Sequence, residues 1–178
     1  MLCMLIGVVF ALVALRVPIG GMELDILPDV VGYALIAVGM DQMKEITLYR
    51  RARLFAWGAA AVSVLVLWVG TLDVKVQLYM LCSLAGLCLG AYVTWQLALG
   101  LIELEQMVGV PLNGDKMKIP WMIYLAAELY TYWSVVAVLP DLQSITVFVA
   151  PAAAIFYAIL LYSGWRGYVD HRRRSSGQ

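Results

Sequence analysis

Long apolar runs separated by short polar segments set the pattern of this chain. A helical residue rises about 1.5 Å and a bilayer core is about 30 Å thick, so a crossing needs roughly 17 to 25 mainly apolar residues. Six stretches meet or approach that length: residues 1–17, 26–43, 54–70, 77–102, 121–139 and 145–162. The first holds no charge before Arg16, and the sixth contains Pro151. The second is the shortest in substance, because its uninterrupted apolar core runs only from Val30 to Met40, between Asp29 and Asp41. It reads either as a marginal crossing or as a re-entrant or interfacial helix, and crossing is the reading that keeps the charge pattern below consistent. The expected fold is all-α: a polytopic membrane helix bundle with six transmembrane helices in a single transmembrane domain and a basic cytoplasmic tail at residues 163–178.

Composition narrows the class. Hydrophobic types make up 63% of the 178 residues and charged types 13%, where soluble domains carry roughly half and about a quarter. A soluble enzyme, a disordered chain and a disulfide scaffold are all excluded by this balance and by the three cysteines. Twelve basic against twelve acidic side chains leave no electrostatic footprint for nucleic acid. The distribution of charge says more than its sum. With six spans and both termini cytoplasmic, the inner segments hold Lys44, Arg50, Arg51, Arg53, Lys116, Lys118, Arg166, Arg172, Arg173 and Arg174, leaving Arg16 and Lys75 outside. That asymmetry follows the positive-inside rule and predicts that both termini face the cytoplasm. The first span lacks a basic leader, and Arg16 and Pro18 stand where a small-residue cleavage site belongs, so it is expected to be a retained helix.

Small residues recur at helical spacing in two spans. Gly32 and Gly39 lie seven apart, and Gly86, Gly90 and Thr94 advance by four, with Ser83 nearby. In lipid, such stripes let helix backbones approach closely, so helix packing is the expected role. The triplets Leu27-Pro28-Asp29 and Leu139-Pro140-Asp141 read as helix starts, since proline is tolerated in a first turn and aspartate favours the positive helix end. The inner segment 103–120 carries an Asn113-Gly114 turn signal.

Glu128 is the sharpest polar feature, near the middle of the fifth span. A carboxylate there is costly unless protonated, paired or hydrated. Tyr124, Thr131 and Tyr132 share its helix face by spacing, and Gln96 of the fourth span can lie at similar depth. Glu128, Gln96, Tyr124 and Tyr132 therefore form the candidate ligand-binding set, for a solute or a proton. The competing reading makes a neutral Glu128 interhelical hydrogen-bond glue. The outer loop gathers Arg16, Glu23, Asp25 and Asp29 around Pro18, Gly20 and Gly21, an acidic group that solvates a loop more readily than it captures a cation. One histidine and three separated cysteines cannot assemble a structural zinc site. No metal, cofactor or catalytic residue is expected, because no phosphate loop, nucleophile elbow or paired-His motif is present.

The segment LDILPDVVGYALIAVGMDQM, Leu24 to Met43, resembles one shared by small uncharacterised bacterial integral membrane proteins, matching at Asp25, Ile26, Leu27, Pro28, Asp29, Gly32 and Tyr33. That resemblance implies a bacterial cytoplasmic-membrane location and no particular activity. The six spans, the chain size and the PIGGMELDILPD loop also resemble the substrate-binding subunits of energy-coupling vitamin transporters, although the first helix offers only Ala11 and Ala14 in place of an Ala-three residues-Ala docking pattern. The leading expectation is a membrane binding or assembly component and not an enzyme. A vitamin-type transporter subunit and an autonomous proton-coupled carrier are the alternatives. The partners left open are the lipid bilayer, a membrane protein partner or second copy of the chain, and a small-molecule ligand.

Overall fold

Three helices are long and apolar enough to cross a membrane, and three further helices accompany them among the described residues. The computed structural model describes residues 1–12, 16–19, 22–25, 29–71, 76–137 and 143–176. In chain order the elements are α1 (Leu2–Leu12), β1 (Arg16–Ile19), β2 (Met22–Asp25), α2 (Asp29–Asp41), α3 (Thr47–Thr71), α4 (Val76–Val108), a 3-10 turn (Asp115–Met117), α5 (Lys118–Ala137) and α6 (Gln143–Ser176). The candidate spans fall in α3, α4 and α6. The chain divides into two compact units, Met1–Gln96 and Leu97–Gln178, the boundary falling within α4.

Element bounds depart from the hydropathy reading in four places. Helix α1 stops at Leu12, and α2 has 13 residues, about 20 Å of rise against a core of about 30 Å. Between them β1 and β2 pair antiparallel, with Arg16 opposite Asp25 and Ile19 opposite Met22. Residues Met22-Glu23-Leu24-Asp25 of β2 alternate apolar and polar, and the sequence between the strands is Gly20-Gly21, a dipeptide favoured in two-residue hairpins. Helix α4 runs on to Val108, and α6 continues to Ser176, so the segment expected as a tail is helical through the arginine run. Hydropathy measures where lipid ends; the backbone stays helical in water when nothing breaks it, and neither extension contains a proline, while isolated glycines such as Gly164 and Gly167 are tolerated in a helix. The second Leu-Pro-Asp triplet lies outside the described residues.

In the first unit, α1 and α2 meet through their backbones. A methyl built on Gly7 would stand 2.6 Å from the Gly32 carbonyl oxygen, one on Gly32 would stand 2.5 Å from the Ala11 amide nitrogen, and one on Gly39 would strike Met4. The pairs Met4 with Gly39, Gly7 with Ile36 and Ala11 with Gly32 run in opposite directions along the two helices, which makes them antiparallel. Helix α3 turns its small residues inward: Ala52, Ala56, Ala59, Ala60 and Ser63 are buried, whereas Leu54, Trp57, Leu65, Leu67 and Trp68 are exposed. Helix α4 joins α3 through the Phe55 and Tyr92 rings, 4.7 Å apart. Glycine is spatially required at Gly90, where the Tyr33 phenol fills the place of a side chain, while a methyl on Gly86 would make only ordinary contact with Val62 at 3.6 Å. Beyond the apolar run of α2, Arg53 and Lys44 pair with Asp41. The hydrogen bond from the Arg53 guanidinium holds that carboxyl below the usual carboxylate range.

The second unit is pinned by the connection between α4 and α5. Glu105 Oε1 accepts the backbone N–H of Leu112 at 2.6 Å and that of Gly114 at 3.0 Å. Leu112 and Met117 are fully buried. Asn113 adopts φ 67°, a left-handed conformation that asparagine tolerates. Its neighbour Gly114 has φ −56°, so it is glycine for space: an added methyl would lie 2.9 Å from the Ile102 amide nitrogen. The turn signal thus falls in the right place for a different reason at each residue. Helices α5 and α6 pack together, and α6 repeats the arrangement of α3, burying Ala150, Ala153, Ala154, Tyr157, Ala158 and Leu161 while exposing Phe148, Ile155, Phe156 and Ile159.

Two predictions test these contacts. Gly32→Ala is expected to cost about 1–3 kcal/mol, because backbone atoms of α1 must move. Gly58→Ala, where an added methyl meets no atom within 4 Å, is expected to be neutral or to stabilise by up to about 1 kcal/mol through helix propensity. Thermal melting in detergent compares the two. Glu105→Ala is expected to cost about 3 kcal/mol, since each hydrogen bond to a charged acceptor contributes about 1.5–3 kcal/mol. Faster hydrogen exchange at the Leu112 and Gly114 amides is its signature; protection unchanged from the parent chain contradicts the assigned role.

Candidate functional site

Helix α5 owes its polar strip to spacing. Tyr124, Glu128 and Tyr132 follow at intervals of four, and Thr131 lies on the same side. All four are half-buried, whereas Met122, Ile123, Leu129 and Trp133 on the rest of the helix are exposed. Glu128 is the eleventh of the 20 residues in α5, about 15 Å from either end. Tyr124, Glu128 and Tyr132 each have an interaction partner. Thr131 Oγ1 donates to the Ala127 carbonyl at 2.9 Å. With its one proton committed there, Thr131 can only accept from a neighbour. Ser134, buried one step further, spends its own proton on the Thr131 carbonyl at 2.8 Å. Sequence reading passed over Ser134, although its spacing from Thr131 and Ala127 places it along the edge of the same strip.

Gln96 belongs to the first unit and Glu128, Tyr124 and Tyr132 to the second, so the candidate ligand set is one helix face plus a residue from the other unit. On α4, among the described residues, Gln96 Oε1 is buried and accepts no hydrogen bond, and Ser83 Oγ is likewise unpartnered. An unsatisfied amide oxygen away from water costs about 1–3 kcal/mol. Close by in sequence, Thr94 is fully buried and its hydroxyl lies 2.8 Å from the Gly90 carbonyl and 3.2 Å from that of Ala91. Gly90, Thr94 and Tyr33 consequently make a satisfied contact between α4 and α2, while Gln96 retains spare acceptor capacity.

The acidic group expected in the outer loop is split between elements. Arg16 sits on β1, Glu23 and Asp25 on β2, and Asp29 in the first turn of α2. The register sets Arg16 opposite Asp25 and Pro18 opposite Glu23. Among the described residues, no group of three or more His, Cys, Asp or Glu side chains converges as a metal site. Cys3, Cys82 and Cys88 are free thiols. No protein family, curated relative or solved structure matches the chain.

Proposed function

We propose that the chain is a multi-pass protein of the bacterial cytoplasmic membrane, with both termini inside, acting as a binding or assembly component and not as a catalyst. One observation carries this reading: large apolar side chains lie outward along α3 to α6, including Trp68 and Trp133 at 64% exposure and Phe148 at 77%. A water-soluble fold would bury these groups, whereas lipid is their matching solvent. The charge asymmetry supports the orientation, with Lys44 and Arg50 to Arg53 on the inner side. No arrangement of nucleophile, base and oxyanion donors draws α5 toward catalysis. The mid-helix carboxyl is the feature such a component would use to recognise a partner or solute.

A second reading, a small-solute transporter subunit, draws support from the unpartnered Gln96 carbonyl oxygen, an acceptor ready for a ligand N–H or O–H. Native mass spectrometry of the chain released directly from membranes separates the two. Binding or assembly predicts a retained protein partner or second copy, weakened in Glu128→Gln if the carboxyl recognises it. A retained small molecule lost from both Glu128→Gln and Gln96→Met selects the transporter reading. A bare chain in every preparation contradicts both.

A further inference from the structure

Two basic segments that are fifty residues apart in sequence meet at one end of the second unit. The connection between α4 and α5 is stitched to α6: Asn113 Nδ2 donates to Ser163 Oγ at 3.3 Å, and a methyl built on Gly164 would strike the Leu112 carbonyl. A methyl on Gly167 would lie 3.3 Å from Leu112 Cδ2. These contacts hold the exposed Lys116 at the level of α6 where Arg166 is also exposed. The aromatic pair Tyr162 and Trp165, 5.6 Å between ring centroids, occupies the same level, and amphipathic rings favour the boundary between hydrocarbon and headgroups.

Helix α6 continues past this level. Its 34 residues rise about 51 Å, about 20 Å more than the hydrocarbon is thick. The extension carries Arg172, Arg173 and Arg174, all exposed. Successive residues turn by about 100°, so the three fan around the helix instead of sharing a side. From Trp165 to Arg172 is about 10 Å along the axis, within the reach of a side chain that bends back toward the surface and within one Debye length of it. Acidic groups at this end are largely engaged: Asp115 accepts from Lys118 at 2.7 Å, Glu105 holds two backbone amides, and Glu103 has a partner, leaving Asp170 as a partial offset.

We infer that this end of the second unit is a seat for anionic phospholipid headgroups. Lys116 and Arg166 meet headgroup phosphates at the aromatic level, and Arg172 and Arg174 reach back to them from the helical extension. The inference rests on the membrane reading above and adds a preference among lipids.

The test is native mass spectrometry of the full chain in a mild detergent, with equal amounts of phosphatidylglycerol and phosphatidylcholine of identical acyl chains. Phosphatidylglycerol is expected to be retained at least tenfold over phosphatidylcholine. Each charge removed is expected to weaken that preference about fivefold, so Lys116→Gln/Arg166→Gln lowers it by more than tenfold, and Arg172→Gln/Arg174→Gln, which leaves every loop contact intact, does the same. Millimolar inorganic phosphate is expected to leave the adducts in place. Equal retention of both lipids by the parent chain overturns the seat alone, as does displacement by phosphate or a preference undiminished in both double variants. Retention of neither lipid contradicts the membrane reading itself.

Discussion

The structure depends on how closely helix backbones can approach one another in a solvent that does not push them together. Lipid tails are as apolar as leucine, so burying large apolar side chains between helices gains little there, and contact must come from close packing of small residues. The glycines at the α1 and α2 interface, the alanine face of α3 and the alanine face of α6 all meet this demand. The large side chains thereby displaced to the outside are not a fault of the fold. In the proposed membrane setting they are the surface that hydrocarbon solvates.

A second demand follows from the same solvent. Backbone N–H and C=O groups that leave a helix must find partners within the protein or reach water. Glu105 answers it in the second unit by holding the Leu112 and Gly114 amides, which allows an irregular segment to lie against α4 and α6 with Leu112 fully buried. The strand pair answers it between α1 and α2 by pairing backbone groups across β1 and β2. Polar side chains within the helices mostly turn to their own helix, as Ser63, Thr94, Thr131 and Ser134 do. Gln96 and Ser83 differ: among the described residues their buried oxygens have no hydrogen-bond partner.

The helical class and the positions of the apolar stretches were legible because hydropathy over some twenty residues reports the solvent directly. The close approach at Gly32 and Gly39 was legible because a missing side chain on a helix face has few other uses. The alanine faces of α3 and α6 were not singled out, since alanine is the best helix former and its presence alone does not distinguish packing from propensity. Helix ends were not legible from the span bounds for a related reason. Polar residues such as Glu103, Glu105 and Arg172 end a hydrophobic window without ending a helix. The pairing of β1 with β2 carried a signal in the alternation of Met22 to Asp25 and in the Gly20-Gly21 dipeptide of the sequence, which the reading of that stretch as a loop overlooked. The candidate site was legible as a spacing pattern on α5, but the partners of Glu128 depend on tertiary contacts that spacing does not specify.

The central claim is that the exposed tryptophans face hydrocarbon. Trp57, Trp68 and Trp133 are exposed, whereas Trp95, Trp121 and Trp165 are half-buried. Fluorescence of variants retaining a single tryptophan, reconstituted into bilayers whose acyl chains carry bromine, measures that contact. The account predicts strong quenching of Trp57, Trp68 and Trp133 by the brominated chains, with little effect of aqueous iodide. Strong quenching of these three by iodide, with the brominated lipid leaving their emission unchanged, contradicts it.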